Sequence, residues 1–190
     1  MSEDSTLENI GSKDSYIQTL QGSMARKDSM NMALVMNLKG AIGDLSDGDI
    51  NIKVEKGVVY VDISDKLLFK SGSFSITDKA TVVLGKVAKV LAAQPNIEFM
   101  VEGHTDSKQL LGSDNKMEDN WDLSVKRATT IVRLLQEKYG IDPKRMTAAG
   151  RGEYVPLAEN DSAENRAANR RTRIVILPQL DQFFKLLETK

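Results

Sequence analysis

A sheet with helices packed over it, preceded by a separate helical segment, is the fold that the sequence predicts. Three observations carry that expectation. Two alternating apolar runs flank Glu55-Lys56-Gly57, as the arms of a hairpin would. Beyond them, runs with helical apolar spacing take turns with short alternating runs, an order that lays helices over a sheet. Ahead of them, Asp14 to Leu45 holds no proline and keeps a helical apolar spacing.

The first ten residues, MSEDSTLENI, are polar and are expected to fray. With Ile17 at position a of a heptad, the a and d positions are Ile17, Leu20, Met24, Lys27, Asn31, Leu34, Leu38, Ala41 and Leu45, and seven of these nine are apolar. The pattern admits two readings: a short coiled-coil seam in which Asn31 would fix register in a homo-oligomer, or a helix packed on the main domain. Ser46 to Ile50 (SDGDI) then reads as a turn or linker.

In the hairpin, Ile50, Ile52 and Val54 alternate with polar residues, and so do Val59, Val61 and Ile63. Thr77 or Asp78 can cap a helix from about Lys79 to Ala93, whose Val83, Leu84, Val87, Val90 and Leu91 share a face. Ile97, Phe99 and Val101 form a short strand that runs into GHTDS. After a polar loop, Leu123 to Tyr139 is helical, with Leu123, Ala128, Ile131, Val132, Leu134 and Leu135 as its apolar set, Asn120 or Asp122 as its cap and Gly140 as its stop. Met146 to Ala149 is expected as a strand, Ala163 to Asn169 as a helix, Ile174 to Leu177 as a strand, and LPQLDQFFKLLE as a last amphipathic helix. The chain thus divides into 1–48, 49–178 and 179–190.

Composition limits the chemistry. The chain has 190 residues, 41% of them hydrophobic, enough for one domain plus a modest extra element. Its net charge of -1 gives no general pull on nucleic acid or an anionic membrane. Without cysteine there is no disulfide, thiolate nucleophile or Cys-ligated zinc. No apolar run reaches the roughly 18 residues of a membrane-spanning helix, and no signal-peptide pattern opens the chain.

The lone histidine, His104, stands in VEGHTDS beside Thr105, Asp106 and Ser107. On a strand, His104 and Asp106 would point to one face. A metal would need further imidazole or thiolate ligands, which the chain lacks. No G-x-S-x-G turn surrounds a serine to make a hydrolytic nucleophile. A histidine bonded locally at the strand's end fits this spelling best. Asp106, just past a strand's C-terminal end, stands where α/β sheets commonly hold ligands, or else is a turn-former accepting backbone N–H bonds.

Arg127, in the second turn of its helix and on the side of Leu123, could clamp a carboxylate bidentately, or pair at the surface with Glu118 or Asp122. Arg166, Arg170, Arg171 and Arg173 form a basic cluster. With 5% aromatic residues and no nucleic-acid motif around it, this cluster reads as an internal ion-pair network or a site for an anionic carbohydrate, not for nucleic acid.

Taken together, LLFKSGSFSI (67–76), VEGHTDS (101–107), NWDLSVKRATTIVRLL (120–135), GRGEYVP and NRAANRRTRIVI resemble the OmpA-like C-terminal domain family, which includes MotB- and Pal-type envelope proteins. The resemblance covers about Asp62 to Leu177. It implies an α+β fold, a βαβαβ-type two-layer sandwich with helices packed on one mixed sheet and an N-terminal helical stalk. The implied function is non-catalytic binding of peptidoglycan through the diaminopimelate of its peptide stem, tethering the outer membrane or an envelope complex to the cell wall. A flagellar-stator-like or oligomeric scaffold, with the first helix dimerising, is the alternative.

Asp106 would then meet the ligand's ammonium group and Arg127 its carboxylate, with Asn120, Phe69, Thr105 and Arg170 as further ligand-binding positions. Arg166 and Arg171 fall in the family's closing signature. No cofactor is implied. The expected location is the periplasm, with membrane contact only through an N-terminal anchor outside this sequence. Lys70 departs from the Asp that OmpA-type members often carry there.

Overall fold

A computed structural model of the chain describes residues 2–43, 48–70, 73–109, 117–178 and 188. Strands β1 (Ile50–Glu55) and β2 (Val58–Ser64) form the expected hairpin, with Glu55 opposite Val58. The two residues between them, Lys56 and Gly57, both take positive φ (50° and 74°). This is the mirror-image turn that matches the twist of a two-residue hairpin.

The chain then makes a four-residue helix, α1 (Asp65–Leu68), which the sequence pattern had not indicated. It drops Leu67, Leu68 and Phe69 into the core, and Phe69 bridges Ile76. Helix α2 (Asp78–Ala92) begins at Thr77, whose hydroxyl accepts the Ala80 N–H at 3.0 Å. Val83, Leu84, Val87 and Leu91 are buried as expected, with Ala80 and Ala88 between them.

Strand β3 (Phe99–His104) leads through a loop to helix α3 (Asn120–Glu137), a 3₁₀ turn (Pro143–Arg145) and strand β4 (Met146–Gly150), parallel to β3. Such parallel pairing requires a crossover, and α3 provides it. The cap of α3 differs from expectation. Asp119, not Asn120 or Asp122, accepts the N–H of Asp122 at 3.2 Å, which leaves Asn120 free to turn inward. Helix α4 (Ala163–Asn169) precedes strand β5 (Arg171–Ile176), which lies between β2 and β3, antiparallel to both. The sheet order is β1-β2-β5-β3-β4, one mixed five-stranded sheet.

One face of the sheet is apolar. Val59, Val61, Ile63, Phe99, Val101, Ile174 and Ile176 are buried on it, in one core with the inner faces of α2 and α3. The other face carries a row of charges, with Asp62 opposite Arg173 and Arg173 opposite Glu102. This explains why β5 starts three residues before the expected Ile174. Arg171 and Arg173 conceal the alternation, yet Arg173 is neutralised on its own face by both oxygens of Asp62 (2.7 and 3.3 Å).

The N-terminal helix, here αN, runs Ser2–Ile42 and so begins well before Asp14; the polar first residues are helical from Ser2. Gly43 ends it at φ 57°. Its second half packs on the main domain through Leu34, Leu38 and Ile42, against α2 and the hairpin. Asn31 is engaged within the chain, its amide donating to the carbonyl of Gly57 at the hairpin tip (2.9 Å). Ile17 and Met24 of the expected seam are exposed. Leu45 lies outside the described residues, as does the expected last helix apart from Leu177, Pro178 and Glu188. Among the described residues no helix is long and apolar enough to cross a membrane.

Candidate ligand-binding cleft

Helix α3 reaches the sheet because two glycines leave room for it. Gly103 and Gly150 are register partners on β3 and β4. A Cβ on Gly103 would overlap the Ser124 carbonyl oxygen and lie 2.9 Å from its carbon, and one on Gly150 would lie 2.7 Å from the Val125 nitrogen. The Ser124 hydroxyl, buried in this seam, accepts the Gly152 N–H (3.0 Å) and donates to the Trp121 carbonyl (2.9 Å). The close approach brings the first turns of α3 beside the end of β3.

At that end lies a cleft of about 410 Å³. All six positions singled out from the sequence line it: Phe69 behind α1, Thr105 and Asp106 after β3, Asn120 and Arg127 on α3, and Arg170 between α4 and β5. Asp65, Lys66, Lys70, Lys108, Gln109 and Leu123 complete the lining. Asn120 is buried, and its amide donates to the carbonyls of Asp106 (3.2 Å) and Lys108 (3.0 Å), pinning the loop that carries the acid. The Thr105 N–H donates to the Gly152 carbonyl (2.9 Å) and its hydroxyl to the Asp106 carbonyl (2.9 Å).

Both readings of Asp106 meet in one geometry. One carboxylate oxygen accepts the Lys108 N–H (2.9 Å), and the other accepts from Arg170 Nη1 at 2.6 Å. Arg127 is not at the surface and pairs with neither Glu118 nor Asp122. It is buried and ion-paired to Asp65, a partner 62 residues away that sequence reasoning missed. Its Nε and Nη2 also donate to the Ser73 carbonyl (3.3 and 3.2 Å), and its guanidinium stands 5.1 Å from the centre of the Phe69 ring. Burial pushes the Asp65 carboxyl up to about 6, against the pull of Arg127 and Arg170.

The basic cluster disperses. Only Arg170 faces the cleft. Arg171 is buried and donates to the carbonyls of Asn169 and Val155 (3.2 Å each), Arg166 reaches the Asn160 carbonyl (3.4 Å), and Arg173 holds Asp62. His104 and Asp106 do not share a face, because the strand ends at His104. The histidine turns to the charged side of the sheet, where Nε2 lies 2.6 Å from Glu102. Burial holds the His104 pKa below its usual value despite Glu102, and Glu102 itself is held low by His104 and Arg151, which outweigh its burial. With the ring neutral and the acid ionised, Nε2 carries the proton and donates it.

An α+β two-layer domain with a charged cleft at the end of its central strands is what fold and site define. The chain belongs to the OmpA family, whose model matches residues 68–170. Motility protein B of Bacillus subtilis (strain 168) is 33% identical over 130 residues, 68% of this chain and 49% of that protein, so the chain spans about half the length of that relative. Among solved structures it is similar to a protein from Desulfovibrio vulgaris assigned as MotB-like (26% identity, TM-score 0.73, covering 82% of this chain and 96% of that one). It is also similar to the cell wall anchor of the T6SS from Pseudomonas aeruginosa (31% identity, TM-score 0.65, 75% of this chain and 97% of that one).

Proposed function

We propose that this chain binds peptidoglycan without cleaving it and anchors an envelope complex or the outer membrane to the cell wall from the periplasm. Residues 49–178 act as the wall-binding unit and 1–48 as its stalk. The ligand is the free end of diaminopimelate in the peptide stem, with Asp106 taking the ammonium group and Arg127 the carboxylate. The observation that carries this reading is the meeting of Asp106, Arg127, Arg170 and Asn120 in one cleft, from three separate stretches of chain.

Arginine has five N–H donors, and the described residues use three of those on Arg127. One remains on each terminal nitrogen, the pair a carboxylate can accept together. Likeness to a cell wall anchor and to motility protein B supports the same reading. Asp106→Ala and Arg127→Ala each weaken binding by roughly 2–5 kcal/mol, because each leaves the ligand's opposite charge in the cleft without its protein partner. The test is co-sedimentation with purified peptidoglycan. Undiminished pelleting of both folded variants would rule the assignment out.

A stator-like scaffold is the second reading, favoured by the exposed Leu7, Ile10, Ile17 and Met24 along αN. There the helix dimerises and wall contact is secondary. Sedimentation equilibrium of the whole chain, compared with the chain lacking residues 2–22, separates the two. A monomer in both cases removes the scaffold's support.

A further inference from the structure

Of the four charges that meet in the cleft, the one with no assigned role is Asp65. Its backbone ties it to one arginine and its side chain to the other. The Asp65 N–H donates to the Arg170 carbonyl at 3.0 Å, and the Asp65 carboxylate pairs with Arg127. The residue is buried, and its Oδ1 is fully enclosed with no hydrogen-bond partner among the described residues.

We propose that Asp65 is the specificity-determining residue of the cleft, positioning Arg127 and selecting a zwitterionic ligand end over a plain carboxylate. This rests on the cleft being the ligand site. Asp65 and Asp106 face Arg127 and Arg170, so the four sum to zero. Lys66 is engaged with Asp49 (3.2 Å), and it, Lys70 and Lys108 are exposed, where water screens them. A zwitterion adds no net charge to those four charges. A carboxylate alone makes them net negative beside the buried Asp65–Arg127 pair, where solvent compensates poorly. Specificity of this kind works by penalising the wrong ligand as much as by holding the right one.

The burial that raises the Asp65 carboxyl to about 6 leaves it ionised at neutral pH and protonated below that value. Removing its charge by mutation or by acid therefore has one and the same effect.

The experiment is calorimetric titration of the whole chain with diaminopimelate and with pimelate, which has the same carbon chain and carboxylates but no ammonium. At pH 7.5 the wild type prefers diaminopimelate. Asp65→Asn cuts that preference by about tenfold or more, the size of one like-charge contact. Asp65→Glu keeps most of it. Between pH 7.5 and 5.5 the wild-type preference falls similarly, beyond any change in the Asn variant, which also reports titration of the ligands themselves. Should the Asn variant fail to fold, Asp65→Ser measured in the same way takes its place.

An unchanged preference in folded Asp65→Asn, or the same pH dependence in both proteins, overturns the proposal. Wild-type protein that ignores diaminopimelate at both pH values instead overturns the reading of the cleft, and this proposal with it.

Discussion

Asp65 and Arg127 place two buried charges where the core meets the cleft, and the acid carries the cost of its burial. An unfolded aspartate titrates near 3.8, whereas Asp65 does so at about 6. The folded state therefore binds that proton more tightly. The unfavourable contribution is fully present above about pH 6, shrinks as pH falls through the folded value, and is gone below 3.8. A gap of two pH units corresponds to roughly 3 kcal/mol. Asp65→Asn, compared with wild type by chemical denaturation, should lose about that much of its relative stability between pH 7.5 and pH 3.5. A difference that stays constant over this range would mean the acid is not strained. The six cleft residues were legible from sequence because a family resemblance marked them. Asp65 was not, since its pairing spans 62 residues and no local pattern marks an acid that will be buried.

Among the elements, α3 decides the site, and its seat was the least legible feature of the sequence. In VEGHTDS the eye goes to the histidine, but Gly103 does the structural work by letting the backbone of α3 touch the sheet. Gly103→Ala cannot be relieved by turning a side chain, because the obstacle is the Ser124 backbone. It should cost about 3 kcal/mol, at the upper end of ordinary overpacking, and displace Asn120 and Arg127 from Asp106. Thermal melting together with co-sedimentation tests this; a variant with unchanged melting temperature would show that the helix can ride outward freely. The alternating β2 and the helical periodicity of α2 were readable because each buries one face. The start of β5 was not, because Arg173 is neutralised by an acid on another strand and Arg171 donates to distant and local backbone carbonyls.

Across the whole molecule, αN joins the domain through its second half only. Leu38 is completely buried, and Leu38→Ala should cost about 2–5 kcal/mol, as large-to-small changes in a core do. Deleting residues 2–19, by contrast, should leave the domain's melting temperature within about a degree, since residues 4–19 are all exposed. A large drop on that deletion would mean that the outer half contributes to the fold. The heptad reading could not divide the helix this way, because Leu34 and Leu38 satisfy a seam and a domain contact equally well.

The exposed outer half of αN has a geometric consequence. Sixteen helical residues reach about 24 Å at 1.5 Å each. The same sixteen residues as a flexible coil would have a root-mean-square reach of about 22 Å. The two averages nearly coincide, so the helix puts its far end almost no further from the domain than a coil would. What it removes is the spread. A coil samples everything from contact to full extension, whereas a rod started from the docked turns holds one separation and one heading. The outer helix is therefore a ruler, setting the distance and heading of its far end from the domain.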